Sequence, residues 1–229
     1  MIQHTTDAER LGHWSEQHAV LMALAISGAL LDHSPLLVAA IAGGSFLGLV
    51  ARFRRRWTPA GSFGAANSIT LARLAGTLAL LVWPGLDGAW AAGLALAILC
   101  ADGLDGWAAR RWACSSEFGH GFDQEVDAFF FLALCVILYT LGHLGAWVLL
   151  PGSLRYLFVL YAKLAKPPRG SFRGNRFTRS ISVATILAFI PCLFPIGKLC
   201  FGLAAAAALG LCGSFLYSSW RLYRPEPGA

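Results

Sequence analysis

Charge is scarce in this chain. Asp, Glu, Lys and Arg together make up 13% of the 229 residues, about half the share found in an ordinary water-soluble domain. With 57% hydrophobic residues and a mean hydropathy of +0.61, that scarcity excludes a soluble globular protein, because most of the chain has no water to face. Strand-like alternation is also missing. The apolar runs are continuous, which excludes a transmembrane β-barrel and leaves an all-α, polytopic integral membrane protein. The six cysteines (Cys100, Cys114, Cys135, Cys192, Cys200 and Cys212) lack paired metal-ligand spacing. They are expected to be small, reduced packing residues, neither a zinc site nor a disulfide framework. The opening "MIQHTTDAERLGHWSEQHA" has acidic residues and no basic n-region, so no signal peptide is expected there. No internal repeat or low-complexity tract is evident.

What is present is a series of apolar stretches near the length of about 20 residues that spans a bilayer. The clearest are Ser68–Trp83, Gly88–Gly106, Phe122–Leu141, Ala146–Leu164, Arg179–Phe194 and Leu199–Tyr217. Pro and Gly mark most of the breaks, as in "WPGLDG", "LGHLG" and "FPIG". Upstream, "AVLMALAISGALL" and "PLLVAAIAGGSFLGLV" are split by Asp32-His33-Ser34 and read as a helical hairpin, either spanning or re-entrant. The expected architecture is a six-helix transmembrane core at 58–229. It is preceded by an N-terminal segment, 1–57, carrying the hairpin and the basic stretch "RFRRRW", which reads as an interfacial anchor.

Net charge is +6 and the pI about 9.2, with the basic residues gathered at helix ends. That distribution fits topology and anionic headgroups, and no basic–aromatic surface suggests nucleic acid. Arg110 and Arg111, the stretch Lys163–Arg179, and Arg221 with Arg224 fall on one side if the helices alternate. The other side holds little beyond Lys198. Both termini and the acidic cluster are therefore expected on the cytoplasmic side.

That cluster is "DGLDGWAARRWACSSEFGHGFDQEVD", Asp102 to Asp127. A carboxylate at mid-bilayer costs about 2.5–3.5 kcal/mol on insertion scales. Protonation, ion pairing or a bound cation must offset that cost. Asp102 and Asp105 are i and i+3 near one helix end, and Asp123 and Asp127 are i and i+4 near the start of the next. Each pair shares a face. The short connection makes the two helices antiparallel neighbours, so the pairs can converge into an oxygen cage for hard divalent cations such as Mg²⁺. Gly103 and Gly106 allow close approach, Arg110 can grip a diphosphate, and Gly119 and Gly121 are expected to loosen the turn. The alternative is a set of helix-end charges neutralised by Arg110 and Arg111.

The pattern Asp102-x-x-Asp105-Gly106-x-x-Ala109-Arg110, then Gly119-x-x-x-Asp123-x-x-x-Asp127, resembles the signature of the CDP-alcohol phosphotransferase family at all eight positions. "AANSITLARL" resembles the start of that family's first core helix through Asn67, Thr70 and Arg73. The resemblance implies a six-helix core and a reaction. A CDP-linked alcohol, usually CDP-diacylglycerol, transfers its phosphatidyl group to an acceptor hydroxyl, and CMP leaves. It implies two divalent cations, Mg²⁺ or Mn²⁺, held by Asp102, Asp105, Asp123 and Asp127, with Asp127 also the general base. Asn67, Thr70, Asp105, Gly106, Ala109, Arg110 and Gly119 would border the nucleotide and diphosphate. A homodimer in the bacterial cytoplasmic membrane, among lipids and with its active site facing the cytoplasm, is the implied setting.

The acceptor is less legible. Arg155, about 12 Å of helical rise from Lys163, reads as a pocket residue or a snorkelling one. Lys163, Arg173 and Arg176 would grip a phosphorylated acceptor, of the glycerol-3-phosphate or inositol-phosphate type, or serve only topology. "GNRFT" resembles the Gly-Lys-x-x-Thr pattern of the glycerol-phosphate branch, with Asn175 in place of the lysine. Serine- or choline-type acceptors stay open, as more remotely does a carboxylate-lined transporter. Arg73 reads as a partner for a motif carboxylate or donor phosphate, or an interfacial anchor. His120 reads as a solvated turn residue, and Glu125, facing away from Asp123 and Asp127, as structural or solvated.

Overall fold

The computed structural model describes residues 6–83, 87–111, 116–165, 176–194 and 197–221. For 104–111, 176–179, 198–199, 218 and 221 it describes backbone alone. These residues form eight α-helices: α1 (Asp7–Asp32), α2 (Leu36–Arg52), α3 (Ala65–Val82), α4 (Gly88–Arg111), α5 (Glu117–Thr140), α6 (Leu149–Ala165), α7 (Arg176–Phe189) and α8 (Lys198–Arg221). Single turns of tighter helix precede α6 and follow α7. No strand occurs among the described residues.

Among the described residues, three helical stretches are long and apolar enough to cross a membrane: Ala65–Val82, Ala146–Ala165 and Cys200–Tyr217. Leu36–Arg52, Gly88–Gly103 and Ser180–Leu193 are shorter and apolar. The outside of the bundle suits lipid, since Leu24, Leu31, Leu47, Trp90, Leu164, Leu209 and Leu216 all stand exposed. In water, so much apolar surface would drive association.

Helix α5 is the axis of the fold. Residues 132–139 are all buried, as are Val126, Phe129 and Phe130. A helix apolar on every side suits a protein interior or a lipid span, and α5 takes the interior, packed against α1, α3, α6 and α7. Phe122 is fully buried in a ring cluster with Phe118, Phe46 and Phe63. Gly152 lets α6 close on α5, because a Cβ there would sit 2.8 Å from Cys135 Sγ and 3.1 Å from Leu132 Cα.

Within the N-terminal hairpin, α1 packs along α5 and α6, and α2 packs against α1 and α3. Thr6 caps α1 with a reciprocal Thr6–Glu9 box, and His33, in a left-handed conformation, ends it just before Ser34-Pro35. Helix α1 then runs parallel to α5 in constant register. Leu11 lies over Gly121, Ser15 bonds Glu125 110 residues later, and the Tyr139 hydroxyl donates to the Leu30 carbonyl across 109 residues.

Two expectations need correction. Cys192 and Cys200 are joined by a disulfide, with Cα atoms 5.4 Å apart. The chain reverses between α7 and α8 and brings them together, and their spacing carries no recognisable signal. Cys100, Cys135 and Cys212 are free, and Cys114 lies outside the described residues. Gly119 and Gly121, for their part, do not loosen a turn. Both lie inside α5 and allow close contacts, since a Cβ at 119 would meet Asn67 Oδ1 at 2.9 Å and one at 121 would meet Leu11.

Gly152→Ala is expected to lower stability by about 1–3 kcal/mol, because the added methyl meets backbone that cannot yield cheaply. Gly44→Ala, with open space around it, should leave the melting temperature in detergent nearly unchanged. Thermal unfolding of the two purified variants checks the contrast.

Candidate active site

The site forms where the end of α4 and the start of α5 meet one face of α3. Asn67, Thr70, Arg73, Leu74 and Thr77 recur at helical spacing and are all buried, so α3 turns a polar stripe inward. In an apolar chain such a stripe has to satisfy itself against neighbouring polar groups. Thr70 and Thr77 donate to carbonyls one turn back, Ala66 and Arg73, at 3.2 and 2.9 Å. Asn67 Nδ2 donates to the Phe63 and Trp57 carbonyls at 2.7 and 3.3 Å.

Arg73 is the centre of the arrangement. Its side chain is 2% exposed, and its guanidinium reaches three carboxylates. Nη1 donates to Asp123 at 2.7 Å, and Nη2 lies 3.2 Å from Asp102 and donates to Asp127. Oxygens of Asp102, Asp123 and Asp127 lie within 4.8 Å of one another. Exposure rises from Asp102 (15%) through Asp123 (31%) to Asp127 (42%), so Asp127 is the member best placed to meet an incoming group.

Local folding explains the convergence. Ser116 caps α5, accepting from Gly119 N–H at 2.9 Å and donating to the Trp57 carbonyl at 2.6 Å. The same carbonyl accepts from Asn67. One loop oxygen thus fixes the starts of both α3 and α5. Trp57 and Phe53 are themselves tucked in. The Trp57 indole donates to the Val50 carbonyl at 2.9 Å, and Phe53 stands against Phe118. The basic stretch before α3 is therefore more than an anchor, although Arg54, Arg55 and Arg56 are exposed.

Chemically, three carboxylates face one guanidinium among the described side chains, an excess of two formal negative charges. Hard oxygen donors clustered with excess negative charge are what Mg²⁺ or Mn²⁺ prefers. The residues present therefore fit a divalent metal, with Asp102, Asp123 and Asp127 able to hold it. Asp105, Gly106, Ala109 and Arg110 lie on helical backbone of α4, and their side chains are outside the described residues, as is that of Arg176 at the start of α7. Arg173 lies outside them altogether. Gly119 and Asn67 are in contact.

The two expected acceptor cations whose side chains are described each hold a carboxylate. Arg155 Nη2 donates to Glu125 at 2.7 Å, and Lys163 pairs with Glu16 at 2.8 Å. Glu125 is buried, which rules out the solvated alternative, and His120 is exposed in the first turn of α5. Sequence reasoning overlooked Ser116 and Ser15. Ser116 carries a readable sign, a serine just ahead of an apolar helix, whereas Ser15 has none.

This architecture is that of a helical membrane enzyme site with clustered carboxylates at a helix junction. A family model, CDP-alcohol phosphatidyltransferase, matches residues 63–213, well over half of the chain, and the chain belongs to that family. No match was found among curated proteins or among solved structures. Family membership makes it a CDP-alcohol phosphotransferase, and the matched region begins just before α3, leaving α1 and α2 outside.

Arg73→Gln is expected to cost about 3 kcal/mol of stability. That is the lower end for breaking a buried pair, because Asp123 and Asp127 stay partly solvated. Added Mg²⁺ or Mn²⁺ should recover more of the melting temperature in the variant than it adds to the wild type, since a metal can take over the lost positive charge.

Proposed function

We propose that this protein makes a phospholipid headgroup by moving the phosphatidyl group of CDP-diacylglycerol onto the hydroxyl of a small polar alcohol, releasing CMP. The convergence of Asp102, Asp123 and Asp127 on one point, in a chain of this family, carries the reading. Asp102, Asp105, Asp123 and Asp127 would hold two divalent cations. Bound there, such ions stabilise charge on both the attacking and leaving sides of an in-line phosphoryl displacement. Asn67, Thr70, Asp105, Gly106, Ala109, Arg110 and Gly119 border the cytidine and diphosphate.

Asp127 takes the acceptor's hydroxyl proton. The freed oxygen forms a bond to the lipid-side phosphorus, the bond from that phosphorus to the CMP oxygen breaks, and CMP carries away the electron pair. A free aspartate, with a pKa of about 3.9, is a weak base for an alcohol. A nearby cation makes the hydroxyl more acidic. Asp127 is the most open of the three clustered carboxylates, which supports this role.

The location suits a two-natured donor, whose tails stay in lipid while its nucleotide stays in water. With basic residues collected on the same side, the site faces the cytoplasm of a bacterial inner membrane. The six helices from α3 onward form the spanning core, and two copies assemble as a homodimer. We assign the acceptor a phosphate, of the glycerol-3-phosphate or inositol-phosphate type, gripped by Arg155, Lys163, Arg173 and Arg176. The quarter exposure of Arg155 leaves part of its guanidinium open to such a group.

Purified protein supplied with CDP-diacylglycerol, Mn²⁺ and a panel of acceptors should release CMP with a phosphorylated alcohol. Turnover with serine alone would transfer the assignment to that branch, and none with any acceptor would sink the reading. Asp127→Asn should reduce kcat at least a thousandfold, within the range for losing a general base and part of a metal shell, while still binding CDP-lipid. Arg155→Gln should raise the acceptor KM more than the donor KM; the reverse would place Arg155 on the donor.

A further inference from the structure

Glu125 stands two positions from both Asp123 and Asp127. Each step of two turns the helix by about 200°, so Glu125 projects from the side of α5 opposite the two aspartates. There it is buried at 3% exposure, and one carboxylate oxygen takes two bonds. Ser15 Oγ of α1 donates at 2.6 Å and Arg155 Nη2 of α6 at 2.7 Å. Around this oxygen lies a compact polar group. His18, one turn after Ser15, meets Ser45 Oγ of α2 through Nδ1 at 2.9 Å, and its ring stands edge-on to Tyr156, 5.6 Å away.

Helix α5 is therefore held on opposite faces at one level. Arg73 of α3 pulls on Asp123 and Asp127, while Ser15 and Arg155 pull on Glu125. The parallel register of α1 and α5, from Leu11 over Gly121 to Leu30 against Tyr139, continues that hold along the helix. None of α1 or α2 lies within the stretch matched by the family model.

We propose that Glu125 is a positioning residue and α1 a splint. Locked to Ser15 and Arg155, Glu125 sets the rotation of α5 that turns Asp123 and Asp127 together toward Asp102. The N-terminal hairpin thereby belongs to the metal-binding unit. The inference rests on the reading of Asp123 and Asp127 as metal ligands. Carboxylates on a helix free to rotate present their oxygens to one point only part of the time, and affinity falls by the fraction of time they are misplaced. Outer partners that orient metal ligands typically change affinity ten- to a hundredfold when removed.

The test is Mn²⁺ binding to purified protein, without donor or acceptor, followed by the electron paramagnetic resonance signal of the free ion. Thermal unfolding is measured alongside. Glu125→Gln keeps the shape and a bond to Ser15 but strands the Arg155 charge. It should weaken Mn²⁺ binding about tenfold or more. Ser15→Ala removes one bond without stranding a charge and should weaken it a few-fold, with little change in unfolding temperature. The double variant Glu125→Gln, Arg155→Met carries no stranded charge and should recover stability while its Mn²⁺ affinity stays low.

If the double variant recovers Mn²⁺ affinity together with stability, Glu125 only fills a buried polar position and the inference fails. Unchanged Mn²⁺ binding in Ser15→Ala and in folded Glu125→Gln overturns it equally. Should Glu125→Gln fail to fold, the Ser15 variant and the double variant still decide. Asp123→Asn with Asp127→Asn is the separate control. If that pair binds Mn²⁺ as the wild type does, the metal-site reading itself has failed, an outcome distinct from any result at Glu125.

Discussion

A single buried guanidinium governs how this bundle is put together. Arg73 lies inside an apolar helix, where an unpartnered cation would be prohibitively costly, and its partners come from two other helices. The carboxylates, in turn, crowd within a few ångströms around that cation, which offsets part of their mutual repulsion. The ends of α4 and α5 are drawn to α3 by mutual need, since each side of the arrangement would be intolerable alone. Such buried ionic groups add little net stability against an apolar alternative, but they penalise wrong pairings heavily. What they contribute here is one permitted arrangement of α3, α4 and α5.

The layers around that junction grade from ionic to apolar. Next to the charges come hydroxyls and amides that satisfy backbone, with the Trp57 carbonyl shared by Ser116 and Asn67. Beyond them lies the aromatic cluster of Phe46, Phe118 and Phe122, and outside it the leucines that face lipid. The sequence order mirrors this, since the polar face of α3 and the acidic start of α5 each run directly into apolar helix.

Much of this was legible beforehand. Apolar run length located the helices, because in a membrane every spanning segment must satisfy its own backbone. Carboxylate spacing at i+4 placed Asp123 and Asp127 on one face. The cation completing the cluster was harder to assign, because an arginine in the second turn of an apolar helix reads equally well as an anchor. Ser15 was beyond reach, since nothing local to a serine in an amphipathic helix announces a partner 110 residues away. The Cys192–Cys200 pair failed for a similar reason: a chain reversal, not a motif, brings the two sulfurs together. Glu125 was placed on the correct side of its helix by geometry, but only the packing of α1 and α6 shows that this side is interior.

The parallel register of α1 and α5 has a consequence for synthesis. Ser15 precedes Glu125 by 110 residues, and at about 5–20 residues per second the ribosome takes roughly 5–20 s to cover that distance. Arg155 arrives later still. During that interval α1 has α2 to pack against, through His18 and Ser45, but Ser15 has neither Glu125 nor its surroundings on α5 and α6. The contacts of α1 with α5 and α6 are therefore among the late ones to form, and the central helix is closed in by a helix already paired with α2.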